Sequence, residues 1–140
     1  MENQIVVFNL AGEQYGVHIS KVESIIKMQA ITKLPHAPRY VEGITNLRGR
    51  VVPIIDLHRR FDLDNKASTA DDRIIVVNTS GEDIGLIVDE VSEVLTINEQ
   101  AVEPAPNITT TIDSSFITGI AKIDQRLVIL LDLEKVITIN

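Results

Sequence analysis

The chain of 140 residues contains no cysteine and no tryptophan, and its aromatic residues are only three Phe and two Tyr. The absence of cysteine excludes disulfide bonds, thiol catalysis and cysteine-based zinc sites. With so few aromatic residues, the hydrophobic fraction of 44% consists mainly of Ile, Val and Leu. Because β-branched residues pack well in strands, this composition predicts a β-rich fold.

Segments that would cross or target a membrane are also missing. No apolar run approaches the roughly 20 residues that a membrane-spanning helix needs. The N-terminus has no basic region followed by an apolar stretch of signal-peptide length. We therefore expect a cytoplasmic protein that does not insert into the membrane.

Motifs for catalysis and for cofactor binding are equally scarce. The chain has no glycine-rich phosphate loop and no G-x-S-x-G or S-x-x-K pattern. Its three histidines, His18, His36 and His58, lie in different contexts without metal-ligand spacing. We expect no enzyme activity, no cofactor and no metal site.

The net charge of −7 is unevenly distributed. Residues 1–70 carry nine Lys and Arg against seven Asp and Glu, whereas residues 71–140 carry four against thirteen. An acidic surface repels phosphates, so nucleic acid is not an expected partner. The asymmetry means that the two halves present different surfaces to partners, or that charge serves solubility alone.

The most informative feature present is an internal repeat. Residues 4–26 align with residues 73–95 at an offset of 69, and seven of the 23 positions are identical. Residues 43–57 align with residues 119–133 at an offset of 76, with six identities in 15. Two similarly built halves are predicted, and each is too small to have a large core of its own.

Each repeat contains signals for two hairpins. Gly12 and Gly81 follow short polar stretches between apolar runs, and Arg48-Gly49 lies at a later turn, where glycine can adopt positive φ. About five short strands per repeat predict two small barrels. Pro53 inside a strand pattern predicts an edge or a bulge, and residues 38–42 predict a short helix that begins with proline.

Two aspartates occupy equivalent positions in the repeats. Asp56 and Asp132 each end an apolar run and precede a short amphipathic stretch, which predicts that each caps a helix N-terminus. The alternative is a two-lobe hydrolase in which the two carboxyl groups share a proton. Both aspartates are followed by Leu and helix-like sequence, which favours capping.

The segment Asn46-Leu47-Arg48-Gly49, followed by Arg50, differs from its repeat partner, Lys122 to Gln125. An arginine beside a glycine turn can reach a partner carboxylate with a rigid fork of donors. The alternative is an ordinary exposed charge of little energetic consequence. The divergence between the copies favours a specific role.

At these residues the chain resembles a known family. The segments GITNLRGRVVPIIDL, YGVHISKVESI and IGLIVDEVSEVL, with a later PAP, resemble the CheW-like domain family of bacterial chemotaxis coupling proteins. The likeness extends from about Ile5 to Ile137. The resemblance implies an all-β fold of two SH3-like five-stranded barrels packed around a shared core, with short helices. It implies one CheW-like domain over residues 1–140, with approximate lobes at 15–72 and 80–140 and with strands near 4–10 and 73–78 exchanged between them.

The function implied by the resemblance is a non-enzymatic adaptor. It would couple the cytoplasmic tip of methyl-accepting chemoreceptors to the regulatory domain of the histidine kinase CheA, and it would be recruited to receptor arrays at the membrane. An adaptor with another output, such as motility or gene regulation, is the alternative within the same class.

The resemblance also implies site residues. Val22, Leu47 and Arg48 match positions expected to contact the receptor, and Asn46, Gly49 and Arg50 are expected to contact the kinase. The family commonly has Glu two residues after the valine, where it pairs with the arginine of the turn. This chain has Ser24 there and Glu23 one position earlier, so the usual Glu–Arg pair is not expected.

Overall fold

The structure is a computed structural model that describes residues 2–64, 67–104 and 112–138. Within these residues the chain is almost entirely β-structure, with two short α-helices and three single-turn 3-10 helices. No helix in the described part of the chain is long and apolar enough to span a bilayer.

The strands are β1 Glu2–Leu10, β2 Glu13–His18, β3 Val22–Lys27, β4 Val41–Leu47, β5 Arg50–Asp56, β6 Arg73–Thr79, β7 Glu82–Val88, β8 Glu90–Asn98, β9 Val102–Glu103, β10 Ile117–Ile123 and β11 Arg126–Leu131; the helices are α1 Leu57–Arg60 and α2 Leu133–Ile137.

The strands form two sheets. One has six strands in the order β8-β1-β2-β11-β10-β9, and the other has five in the order β3-β6-β7-β5-β4. The all-β class, the two-sheet architecture and the short helices confirm the predicted fold class. The barrels are not closed among the described residues, because the two outer strands of each sheet are not hydrogen-bonded to each other.

The first hairpin of each repeat belongs to the sheet that is otherwise built by the other repeat. The β1–β2 hairpin joins the six-stranded sheet through a parallel pairing of β2 with β11. The β6–β7 hairpin joins the five-stranded sheet through a parallel pairing of β7 with β5. Sheet membership therefore differs from the ranges 15–72 and 80–140, since β2 and β7 each lie in the sheet of the other range. The division into lobes stays a prediction.

Alternating side chains give the molecule one shared core between the sheets and a smaller core on the far face of each. In β1, Val6 and Phe8 enter the shared core, whereas Ile5 and Val7 enter the far core of the six-stranded sheet. Their repeat partners in β6 behave alike: Ile75 and Val77 enter the shared core, and Ile74 and Val76 enter the other far core. Strands buried on both faces explain the nearly continuous apolar runs.

A segment of irregular chain covers the outer edge of β4. Thr32 and Ile44 exchange backbone hydrogen bonds of 2.8 and 2.9 Å. A Cβ atom on Gly43 would lie 2.2 Å from the Thr32 carbonyl oxygen, and one on its repeat partner Gly119 would lie 2.9 Å from the Glu103 carbonyl oxygen. These repeated glycines are therefore positions where two backbones come into direct contact.

Two local predictions were wrong. Residues 38–42 form a turn, in which the Val41 N–H donates to the Pro38 carbonyl, and then enter β4 rather than a helix. Pro53 lies in β5, which is an internal strand. Proline is tolerated there because the pairing of β5 with β7 begins one residue later, at Ile54. The bulge lies on the facing strand, between Val41 and Gly43.

The structure contains both predicted helix caps. Asp56 accepts a bond from the backbone N–H of His58 at 3.0 Å, and Asp132 accepts one from the backbone N–H of Lys135 at 3.4 Å. A third acidic cap, Asp113, precedes a 3-10 helix. Its pKa is lowered because the backbone and side chain of Ser115 donate hydrogen bonds to its carboxylate.

Arg60 joins the two helices. Its guanidinium donates to the carbonyl oxygens of Val136 at 2.7 Å, Lys135 at 2.9 Å and Thr138 at 3.1 Å, at the C-terminal end of α2. It also lies over the Tyr40 ring, 4.4 Å from its centroid. A cation at a helix C-terminus satisfies carbonyl groups that have no partner within the helix. Arg60 therefore stabilises the contact between the repeats.

We predict that Arg60→Met lowers the free energy of unfolding by about 2 kcal/mol, because it removes charge-assisted bonds to three carbonyls but keeps an apolar side chain. Urea unfolding followed by circular dichroism measures the change. Arg39→Met is the control, since the Arg39 side chain is 64% exposed and its guanidinium lies 3.6 Å from the Asp62 carboxylate. An equal effect of both substitutions would contradict the role of Arg60.

Candidate functional site

An apolar edge of the five-stranded sheet is the first candidate site. In β3, Val22 lies opposite Val77 and Ile25 lies opposite Ile75, and the register shifts between Val22 and Ser24. Val77 and Ile75 belong to the shared core, and directly opposed residues point to the same face of a sheet. The bulge therefore puts Val22 and Ile25 on the face that meets the other sheet, although they are three residues apart.

The six-stranded sheet repeats this arrangement at its own outer strand. In β8, Val91 lies opposite Phe8 and Val94 lies opposite Val6, with a register shift at Val7/Phe8. Phe8 and Val6 are also shared-core residues. Val91 and Val94 are the repeat partners of Val22 and Ile25. The duplication has thus produced two related apolar strips that border the same core.

These strips remain accessible at the surface. Ile25 is 41% exposed and Val94 is 47% exposed, and Ile19, on the turn before β3, is 39% exposed. Val22 and Val91 are partly buried and pack against the shared core. The turn that carries Ile19 contacts β1 of the other sheet. We call the side chains of Ile19, Val22, Ile25, Val91 and Val94 the seam surface.

Sequence reasoning found only Val22 of the seam surface. The repeat itself held a signal for two more residues, since the offset of 69 equates Val22 with Val91 and Ile25 with Val94. The signal was incomplete because the faces follow from the bulges, and a bulge depends on the partner strand. Exposed apolar side chains at the outer strands of both sheets indicate a surface for a protein partner.

The β4–β5 hairpin is the second candidate site. Arg48 has φ 55° and Gly49 has φ 82°, which is the geometry of a two-residue turn with positive φ at both central positions. The Asn46 side-chain oxygen accepts a bond from the Gly49 N–H at 2.9 Å. Leu47 is partly buried against the far core of its sheet. The turn is therefore rigid and holds the exposed Arg48 at its tip.

The Glu–Arg pair typical of the family is absent from the part of the chain that the structure describes. Neither Arg48 nor Glu23 forms an ion pair with any described residue. Val22 lies on β3, and Arg48 lies on the turn after β4; these are the two outer strands of the five-stranded sheet. Leu47 and the β3 residue Ile26 pack against the same far core, and the grouping of Val22, Leu47 and Arg48 into one receptor site stays a prediction.

Arg50, predicted to contact the kinase, has an intramolecular partner. Its guanidinium pairs with Asp83, whose side chain is only 6% exposed. Asp83 also accepts a bond from the Asn78 side chain at 2.8 Å. The repeat partner of Arg50, Arg126, likewise binds Gln14 at 3.0 Å and Glu93 at 2.8 Å. This repeated contact indicates a structural role for Arg50, while its kinase contact stays a prediction.

We predict that Arg50→Ala lowers the free energy of unfolding by about 1–2 kcal/mol, because it leaves a buried carboxylate without its counter-charge. Arg48→Ala, on the adjacent turn, should change it by less than about 0.5 kcal/mol. In the double variant Arg50→Ala/Asp83→Asn, much of the loss should be recovered, since the isolated charge is gone. Thermal and urea unfolding of the three variants measure this, and identical losses in all three would contradict the structural role.

A polar cleft of about 380 Å³ lies at the end of the five-stranded sheet, beside α1. His58 on α1 is buried there; its Nδ1 lies 2.9 Å from the Asp64 carbonyl oxygen and its Nε2 lies 2.8 Å from Oδ1 of Asp89. Arg59 forms ion pairs with Glu42 and with Asp56. Arg59 and its two carboxylate partners are therefore engaged with each other, and no cluster of the described residues could hold a metal ion.

The two aspartates of the hydrolase alternative serve separate helices. The second oxygen of Asp56 accepts a bond from Arg59 at 3.2 Å, and Asp132 caps α2. No hydrogen bond joins Asp56 to Asp132 within the described ranges. The geometry provides two caps and no shared proton.

Comparison with known proteins shows the family of the chain. Residues 4–139 match the CheW-like domain. The chain belongs to the CheW-like domain family. This confirms the resemblance seen in the sequence and makes the chain a chemotaxis scaffold or adaptor protein rather than an enzyme. The hydrolase alternative is therefore wrong.

Individual relatives agree with this assignment. The chain is 34% identical to the chemotaxis protein CheW of Klebsiella aerogenes, over 96% of this chain and 81% of the relative. It is 35% identical to that of Treponema pallidum, over 94% of this chain and 80% of the relative. The crystal structure of the scaffolding protein TtCheW from Thermoanaerobacter tengcongensis superposes with a TM-score of 0.92 at 45% identity, covering 100% of this chain and 90% of that one.

Proposed function

We propose that this CheW-like protein couples methyl-accepting chemoreceptors to the histidine kinase CheA. In this proposal the cytoplasmic tip of the receptor binds the seam surface together with Leu47 and Arg48, and the regulatory domain of CheA binds at Asn46, Gly49 and Arg50 of the β4–β5 hairpin. The chain would thereby be recruited from the cytoplasm to receptor arrays at the membrane. The observation that carries the proposal is the pair of repeat-related apolar strips that remain exposed beside the shared core.

The seam surface has the chemistry needed to hold an amphipathic helix. Aliphatic side chains project from two outer strands on the faces that meet at the shared core, and this arrangement suits a helix laid along a groove. Ile25 and Val94 expose 41% and 47% of their surface, so their burial against a partner would provide apolar contact area. The adaptor would recognise a receptor by shape and apolar contact there.

The hairpin provides a different kind of surface. Asn46, Gly49 and Arg50 surround the exposed Arg48, and Val51, at the start of β5, is 68% exposed. An exposed apolar residue beside an arginine is a combination often found at protein interfaces. Arg48 would then fix the orientation of the partner more than it adds affinity.

For the receptor, we predict that Ile25→Asp weakens binding of a receptor-tip fragment at least tenfold, because a charge would be buried against apolar side chains. The fold should be retained, since Ile25 is already 41% exposed in the free protein. Isothermal titration calorimetry with the purified fragment measures the affinity. Lys27→Gln, which makes the same change of one unit in net charge at an exposed position on the same strand, is the control for charge. Unchanged binding by Ile25→Asp would contradict a receptor site at the seam.

For the hairpin, we predict that Arg48→Glu weakens binding of the receptor tip or of the CheA regulatory domain about tenfold, with no change in melting temperature. The reason is that Arg48 contacts no described residue through an ion pair but can reach a carboxylate on a partner. Binding to each partner separately and to both together shows which contact depends on Arg48. Unchanged binding of both partners would contradict the proposed role of the hairpin.

A further inference from the structure

Among the described strands of the six-stranded sheet, only β1 and β2 come from the first repeat. The other strands of this sheet, β8 to β11, lie within residues 90–131. The β1–β2 hairpin fills the slot between β8 and β11, and its side chains Phe8, Leu10 and Tyr15 are at most 1% exposed there. Since every copy of the chain contains the same slot, the hairpin of one copy also matches the sheet of another.

The hairpin is joined to β3 by an exposed single turn, Ile19–Lys21. The residues on both sides of this turn are already extended, with φ −63° and ψ 133° at His18 and φ −92° and ψ 121° at Val22. Straightening the turn therefore changes the backbone of three residues and breaks the bond from the Val22 N–H to the Ile19 carbonyl. After this change, β2 and β3 would form one long strand that leads from one copy to the other.

The equivalent crossing in the second repeat is held more firmly. Asp89, the repeat partner of Ser20, is the one residue between β7 and β8. Its N–H donates to the Asn9 carbonyl at 3.1 Å, and its carboxylate accepts a bond from the Ala11 N–H at 2.9 Å. The other oxygen of this carboxylate lies 2.8 Å from Nε2 of His58. The turn Ile19–Lys21 is therefore the better hinge.

We propose that two copies of this chain exchange their β1–β2 hairpins and form a dimer, with Ile19–Lys21 as the hinge. The contacts in the slot are the same in both states, because Asp89 bonds the hairpin turn and Arg126 bonds Gln14 at 3.0 Å whichever copy supplies the hairpin. The balance between monomer and dimer then depends on the hinge and on protein concentration. Because the hairpin must leave a buried core to exchange, the dimer forms during folding rather than from the native monomer. The proposal does not depend on the receptor function proposed above.

Engineered disulfides test the exchange, since the chain contains no cysteine. Gln4 and Thr96 are exposed and directly opposed across β1 and β8, so the disulfide of Gln4→Cys/Thr96→Cys joins the hairpin to the sheet that holds it. The protein is unfolded in urea with a reductant, refolded at low or high protein concentration, oxidised and examined on a denaturing gel. We expect a disulfide within one chain at low concentration and disulfide-linked pairs of chains at high concentration.

The control Lys122→Cys/Leu127→Cys places two cysteines opposite each other within the β10–β11 hairpin, at exposed positions. This disulfide should stay within one chain at both concentrations, because the exchange does not separate β10 from β11. If the Gln4→Cys/Thr96→Cys disulfide also stays within one chain at high concentration, the proposal is wrong. Linked chains in both variants would show non-specific association and would contradict the proposal as well.

Changing the length of the hinge provides a second test that needs no cysteine. Deletion of Ser20 shortens the connection between the sheets and should raise the dimer fraction after concentrated refolding several-fold. Insertion of two glycines after Ser20 relaxes the turn and should lower the dimer fraction. Size-exclusion chromatography with light scattering measures this fraction, and circular dichroism shows which variants are folded. If the unmodified chain and the folded variants give the same dimer fraction, residues 19–21 are not the hinge and the proposal is wrong.

Discussion

The whole structure depends on the way each repeat completes the sheet of the other. The β1–β2 and β6–β7 hairpins enter through the parallel pairs β2–β11 and β7–β5, so neither sheet can form from one repeat alone. A Cβ atom on Gly85 would lie 2.6 Å from Ile54 and 2.7 Å from Ile74, which shows how closely the inserted hairpin packs. Because the hairpins are exchanged, both halves contribute to one shared core. Arg60 of α1 adds hydrogen bonds to the C-terminal end of α2. A chain of this size gains a continuous interior in this way.

Binding surfaces follow from the same arrangement. The sheets meet at the shared core, and their outer strands β3 and β8 leave apolar side chains exposed beside it. The bulges in both strands turn Ile25 and Val94 toward this boundary. Because the repeats are related, the two sides of the boundary carry similar apolar residues, whereas the later hairpin turns differ, with Arg48 and Gly49 in one repeat and Asp124 and Gln125 in the other. The duplication thus supplies the architecture, and divergence at a few positions distinguishes the surfaces.

Much of this fold follows from the sequence, because its determinants are local. Glycine marks the tight turn after Arg48, and Asp56 and Asp132 cap helices through N–H groups two or three residues away. The predictions for Pro38 and Pro53 failed because the outcome depends on a distant segment. Pro38 precedes a turn rather than a helix, since Thr32 pairs with β4. Pro53 is tolerated in an internal strand, since β7 pairs with β5 only beyond it. The seam residues Ile19 and Ile25 were missed for a related reason, since their exposure depends on how the sheets meet. The pairing of Arg50 with Asp83 also joins residues far apart in the chain, and no local pattern marks it.

Native-state hydrogen exchange at increasing urea concentration is the most direct test that the two halves form one folding unit. The amides of Val76 in the five-stranded sheet and Val128 in the six-stranded sheet are both deeply buried. If each sheet needs the hairpin of the other, both amides should report the same free energy of opening and the same urea dependence. Exchange of one sheet at a distinctly lower free energy, while the other remains protected, would show that the sheets fold independently and would contradict the account.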